Sequence, residues 1–182
     1  MTKGLSFRNL VSFTRARFGE EGWAQLEATL SESDRRTLAE MIPMGWYELE
    51  LYARLVRQLV EVHGRGERTL VEDYGRYSAE HDLTTIHKLL MKAVNPGVIM
   101  EQSMKLWRRF QDTGTWRVER GEHRATGMLL DWGCVDEALC RELVGYLEYL
   151  LTLGYGGKRA RVEHPRCRAR SAPACVFVCT WE

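Results

Sequence analysis

The residues best able to do chemistry lie late in the sequence, in the stretch Val162-Glu-His-Pro-Arg-Cys-Arg-Ala-Arg-Ser-Ala-Pro-Ala-Cys-Val-Phe-Val-Cys179. His164 and Cys167 are separated by two residues, a spacing that lets both side chains reach one tetrahedral Zn²⁺, and Cys175 returns after the turn at Pro173. Cys140, on the inner side of the preceding helical stretch, is the best candidate for a fourth ligand. Cys134 is the alternative, and Cys179 shares a strand face with Cys175. Bound zinc would tie that helix to the final hairpin. The competing reading makes Cys140, Cys175 and Cys179 small buried hydrophobes and Cys167 a loop thiol.

A second group is apolar. Trp46, Tyr74, Tyr77, Met104 and Trp107, with Tyr47, Met91 and Met100 among them, are expected to line a cavity between helices and sheet that takes a small apolar molecule. The alternative for each is ordinary core packing at helical spacing. His87, between Ile86 and Leu89, joins this pocket as its imidazole, a group able to ligate haem iron. The sequence holds no Gly-x-x-x-x-Gly-Lys loop, Gly-x-Gly-x-x-Gly, Gly-x-Ser-x-Gly or His-Glu-x-x-His. Adjacent carboxylates such as Glu20-Glu21 and Glu72-Asp73 read as solvated helix surface, so no enzyme is expected.

Elements of two kinds must position these groups. From Leu5 to about Phe110 the apolar residues recur at steps of three and four, the pattern of helices that bury one face. Gly19 ends a first stripe, Ser31 and Ser33 offer N-caps, Pro43 stops a short helix, and Trp46 to Val60 forms the longest stripe. Further helices are expected from about Glu67, through Ile86 to Ala93 up to Asn95-Pro96-Gly97, and through Met100 to Phe110. After Gly114 the period becomes two. Trp116 and Val118 alternate with charged residues, Gly121-Glu122-His123 turns the chain, and Ala125 to Trp132 alternates again. Val135 to Leu153 is helical, and Lys158 to His164 and Ala174 to Trp181 read as two last strands. The expectation is one α+β domain over 1–182, its helical part (about 5–110) packed on a four-stranded antiparallel sheet (about 115–182) in the order helices-β-β-α-β-β.

Composition narrows the setting. The 182 residues carry 26 Lys and Arg against 25 Asp and Glu, a formal charge of +1, which leaves no field to hold a nucleic acid. Lys158, Arg159, Arg161, Arg166, Arg168 and Arg170 form a local basic stretch that reads as a solvated face. No run is apolar enough for a membrane span, and Arg8, Arg15 and Arg17 break any signal-peptide pattern. A cytoplasmic protein with five reduced or metal-bound cysteines is expected.

Gly145-Tyr146-Leu147, Gly154, Val162-Glu-His-Pro-Arg-Cys-Arg-Ala and Cys175-Val-Phe-Val together resemble the end of the vinyl-reductase-type small-molecule-binding domain, over about forty residues. In relatives that sense aromatic hydrocarbons, an acidic residue and three cysteines hold a structural zinc there. The resemblance puts His164 in the acidic ligand's place, Cys167 and Cys175 at the paired cysteines, and Cys140 one residue from the helix cysteine. Gly4-Leu-Ser-Phe-Arg-Asn-Leu with Phe18-Gly-Glu-Glu-Gly-Trp23 is similar to the opening of haem-nitric-oxide-binding domains. These share a superfamily fold with the vinyl-reductase type and with TRAPP subunits, and the chain also resembles an uncharacterised myxobacterial family of this length. The Tyr-x-Ser-x-Arg motif for haem propionates is missing, Tyr77-Ser-Ala-Glu-His81 having neither its spacing nor its arginine, so haem is not expected.

What the resemblance implies is a sensor or regulatory domain with a small apolar ligand, a structural zinc and a homodimer or regulatory partner. The alternatives are a TRAPP-like scaffold without ligand and a haem gas sensor through His87.

Overall fold

A computed structural model describes residues 1–65, 69–83, 96–154 and 159–181. Helix α1 (Gly4–Ala28) is bent at Gly19, whose φ of 75° lies in the left-handed region. The expected break therefore appears as a kink. Ser31 caps α2 (Glu32–Glu40), its hydroxyl accepting from the Asp34 amide at 3.0 Å. Helix α3 (Leu49–His63) buries the stripe Tyr52, Ala53, Leu55, Val56 and Leu59, α4 (Thr69–Asp82) buries Leu70, Val71, Tyr74 and Ser78, and α5 runs over Pro96–Phe110. The helix expected through Ile86 to Ala93 lies outside the described residues.

The sheet is β3 (Thr115–Gly121), β4 (Arg124–Leu130), β5 (Ala160–Arg166) and β6 (Cys175–Trp181), all antiparallel in the order β3-β4-β6-β5. Between its hairpins runs α6 (Glu137–Gly154). Buried Asp136 caps α6, accepting from the Ala138 amide at 2.8 Å and pairing with Arg57 of α3. Alternation sends Cys175, Phe177, Cys179 and Trp181 of β6 into the core, under α6 and α5. The α+β class and the element order are thus as the sequence patterns indicate.

One element differs from its expectation. Trp46 and Tyr47, read as the start of the long helical stripe, form strand β2, which pairs with β1 (Thr2–Lys3) in a separate two-stranded sheet. The helix begins only at Leu49, because Gly45 turns the chain first, with its amide donating to the Ile42 carbonyl at 3.1 Å. Residues Thr2 and Lys3 then supply backbone partners that no local pattern can announce.

The helices come closest where α4 crosses α6. A Cβ on Gly75 would stand 2.0 Å from the Glu142 carbonyl oxygen, and one on Gly145 would stand 1.8 Å from that of Glu72. Glycine is the only residue that admits this approach. It brings Tyr74, Ser78 and Asp82 of α4 against Glu142 and Tyr146 of α6.

Candidate ligand cavity and metal centre

A cavity of about 90 Å³, open at one side to solvent, lies between α1, α4, α5, α6 and β3. Trp107, Phe110, Trp116, Leu143, Leu147 and Leu150 form its apolar wall. The rings of Trp107 and Trp116 meet edge to face at 5.7 Å, and Trp107 Nε1 donates to the Thr113 carbonyl at 2.7 Å, which fixes that wall. The opposite end is polar, with Ser6, Asn9, Ser78, Asp82, Glu142 and Tyr146.

At that end Asp82 accepts from Asn9 Nδ2 at 2.6 Å and from the Tyr146 hydroxyl at 3.2 Å. The Tyr52 hydroxyl lies 2.5 Å from Glu142 Oε1 and 2.7 Å from the Tyr74 hydroxyl, and Tyr74 donates to the Ser6 carbonyl at 2.9 Å. Burial pushes the Glu142 carboxyl up to about 8 and raises Asp82 too, because either charge loses hydration there. The Ser78 hydroxyl is buried and makes no hydrogen bond.

The second site is built by four elements. Cys140 comes from the first turn of α6, His164 from β5, Cys167 from the chain just before a 3₁₀ turn (Arg168–Arg170), and Cys175 opens β6. Their ligand atoms all lie within 4.8 Å of one another. Cys140 Sγ is 3.4 Å from Cys175 Sγ, and Cys167 Sγ is 3.8 Å from Cys140 Sγ. A register shift between Glu163 and Arg166 accommodates His164 at the strand end, and its ring stacks on Phe177 at 4.6 Å. His164 Nε2 is buried without a hydrogen-bond partner.

A tight turn presents the thiols. The Arg170 and Ala172 amides donate to the Cys167 carbonyl at 2.9 and 3.1 Å, Ser171 takes a φ of 66°, and the Arg168 amide donates to Cys175 Sγ at 3.4 Å. The neighbouring Cys140 thiol, then His164 and the Arg168 amide, lower Cys175 from the ordinary thiol range, against the opposing effect of burial. Three converging cysteines beside an imidazole whose Nε2 has no partner form a donor set suited to a tetrahedral soft cation. Cys134 is buried elsewhere, where burial and Glu50 push its thiol up to about 12. Cys179 meets Met100 Sδ at 3.8 Å.

The other residues singled out in the sequence scatter. Trp107 is in the cavity wall, and buried Tyr74 stands behind the polar end with its hydroxyl in the network. Tyr77 packs on Phe13 and His81, away from the described lining. Trp46 is 40% exposed, with Lys3 Nζ 3.8 Å from its ring centroid, because its two-residue strand lies at the surface. His87 and the side chain of Met104 lie outside the described residues. Sequence reasoning passed over Ser6, Asn9, Ser78, Asp82 and Glu142. The signal was polar residues at helical spacing on inner faces: Tyr74, Ser78 and Asp82 follow one another at i, i+4 and i+8.

No protein-family model matches the chain, and no curated protein does. Solved structures do. An H-NOX domain from Shewanella oneidensis in the Fe(II)CO ligation state matches with TM-score 0.74 and 12% identity, covering 99% of this chain and 98% of that one. An Fe(II) unliganded H-NOX protein mutant from K. algicida matches with TM-score 0.73 and 13% identity, covering 98% and 95%. A further structure, concerned with heme distortion in the H-NOX family, matches with TM-score 0.67 and 11% identity, covering 99% and 95%. The chain therefore has the H-NOX fold; the narrower vinyl-reductase resemblance rests on its own motif.

These neighbours correct the expectation against haem. That expectation leaned on the missing Tyr-x-Ser-x-Arg motif, yet the fold shared from end to end is one solved with Fe(II) ligation states. At 11–13% identity a short motif is a poor guide to what such a fold holds. The described lining residues include no imidazole for an iron and no cation for a propionate, so a haem in this cavity would draw its ligand from outside that lining.

Proposed function

We propose that the chain is a non-enzymatic sensor or regulatory domain that binds a small, mainly apolar molecule in the helix–sheet cavity and is braced by a structural zinc ion at Cys140, His164, Cys167 and Cys175. The observation that carries the first part is the cavity itself, an aromatic and aliphatic wall closed by a few convergent polar groups within an H-NOX fold. The approach of four ligand atoms to within 4.8 Å supports the second.

Zinc would join the start of α6 to both strands of the last hairpin. The sheet side of the cavity then stays fixed while α1, α4 and α5 adjust to the ligand. The response is a population shift, limited by the ligand's differential affinity for the two arrangements. The signal passes to a second copy of the chain or to a regulatory protein. No helix among the described residues is long and apolar enough to cross a membrane.

Haem in the same cavity is a second reading, favoured by the Fe(II) states of the H-NOX structures. His87 is the residue to test as its axial ligand. Native and denatured masses of the purified protein, with zinc and iron analysis and a visible spectrum, separate the readings. One zinc per chain with added organic mass and no Soret band supports the braced sensor. A Soret band lost in His87→Ala supports haem. A bare, metal-free chain that takes up neither overturns both and leaves a scaffold.

A further inference from the structure

A strand at the rim of a sheet leaves a row of backbone donors and acceptors unpaired, and the two rims of this sheet differ in what covers that row. In β3 the tight turn at Glu122-His123 makes Gly121 and Arg124 a hydrogen-bonded pair, so Thr115, Arg117, Glu119 and Gly121 aim their backbone groups at β4. Trp116, Val118 and Arg120 aim theirs away from the sheet. Carried across β4 and β6, the same alternation turns Ala160 and Val162 of β5 outward, and there the rim is closed. The Ala160 amide donates to Thr152 Oγ1 at 3.1 Å and the Val162 amide to Glu148 Oε1 at 3.2 Å, both on α6, and the register shift at Pro165 interrupts the strand. Strand β3 has neither device. It pairs with β4 in unbroken register and holds no proline, and among the described residues nothing bonds to the outward amides and carbonyls of Trp116, Val118 and Arg120.

The side chains repeat the contrast. Both rim strands carry Arg-x-Glu on the face away from the core. In β5, Arg161 pairs with Glu163 of its own strand at 3.1 Å. In β3, Arg117 and Glu119 are exposed and make no ion pair among the described residues. A strand with an open rim and a cation two residues before an anion is its own antiparallel complement. Pairing about a two-fold axis at Arg117 would set that guanidinium against its own copy, and an axis at Glu119 would set two carboxylates together. An axis at Val118 instead sets Arg117 of each copy against Glu119 of the other and overlaps all of Thr115–Gly121. Opposite charges directly across a strand pair stabilise it and like charges destabilise it, so charge selects this register.

We propose that β3 is a dimerisation edge, on which a second copy of the chain pairs antiparallel about Val118. Val118 exchanges both backbone bonds with its own copy, and Trp116 does so with Arg120 of the second copy, which joins two four-stranded sheets into one. The surface goes beyond the cavity reading and does not depend on it, since ligand binding needs no dimer.

Sedimentation equilibrium of the full chain tests the edge, with thermal melts to show that each variant folds. The chain is expected to dimerise as its concentration rises. Arg117→Glu and Glu119→Arg each place like charges across the axis twice, and each should weaken the dimer by about tenfold or more. An equimolar mixture of the two single variants restores opposite charges at both places and should form a mixed dimer about as tight as that of the unaltered chain. Val118→Pro removes the central donor without removing a bond to β4, and should also leave the chain monomeric; the charge variants carry the test alone if it fails to fold. A chain that stays monomeric at every concentration reached overturns the proposal, and so does a dimer that both charge variants retain unchanged. Either result leaves the ligand cavity standing.

Discussion

Cys140, His164, Cys167 and Cys175 differ from the other two cysteines by facing one another, and this sets the first prediction. Cys167→Ser or Cys175→Ser should remove zinc from the purified protein and destabilise it by about 3 kcal/mol or more, since the fold loses its metal and keeps the remaining ligands buried. Cys134→Ala should leave the zinc content unchanged. Elemental analysis and thermal melts check both outcomes. Glu142 carries the second prediction. Burial lifts its carboxyl from the ordinary 4.5 to about 8, so the folded chain keeps a proton that the unfolded chain has already released. Stability should therefore fall as pH rises from about 4.5 to about 8, and Glu142→Gln should flatten that slope in melts across the range. Asp82 and Glu72, also raised by burial, contribute slopes of the same sign, so some dependence should persist. The four clustered residues were legible as a candidate set because His and Cys at short spacing are rare and their chemistry is specific. Glu142 was not, because a lone glutamate on a mixed helix looks like any solvated one.

Helix α4 against α6 is the contact that positions the polar end, and it depends on two glycines. Gly145→Ala or Gly75→Ala should force the helices apart, at a cost of about 1–3 kcal/mol from overpacking against backbone. Either change also draws Tyr74 and Asp82 away from Glu142 and Tyr146, so ligand affinity should fall with the melting temperature. Calorimetry beside thermal melts reads both effects, and a substitution on an exposed face of α2, such as Arg36→Ala, should move neither. The helices and strands themselves were legible in the change of apolar period from about 3.6 to two after Gly114. Strand β2 was not. Trp46 continued the helical spacing of the residues after it, and only pairing with Thr2 and Lys3 made it extended.

Across the whole molecule, the proposed zinc and ligand would act on different parts. Chelation of the metal should speed amide exchange in β5, β6 and the first turns of α6, while leaving α1 to α3 protected. Ligand should instead slow exchange in α4 and around Trp107, and should raise stability by about 2.7 kcal/mol at a hundred times its dissociation constant. Hydrogen exchange with mass spectrometry resolves the two patterns, and one pattern for both additions would refute the division between a fixed sheet side and adjustable helices.

By itself the sequence determined the class, the order of elements and a candidate set of metal-ligating residue types, since each of these is carried by local period, by turn chemistry or by residues of unusual reactivity. The tertiary structure decided which residues meet. Four ligands spread over 36 positions converge because α6 crosses beneath the last hairpin. Polar groups from α1, α3, α4 and α6 form two adjacent hydrogen-bonded lines because Gly75 and Gly145 let two helices touch. Burial then changes what those groups are. A glutamate that water would ionise holds its proton once desolvated beside another carboxylate, and no reading of neighbours along the chain supplies that environment.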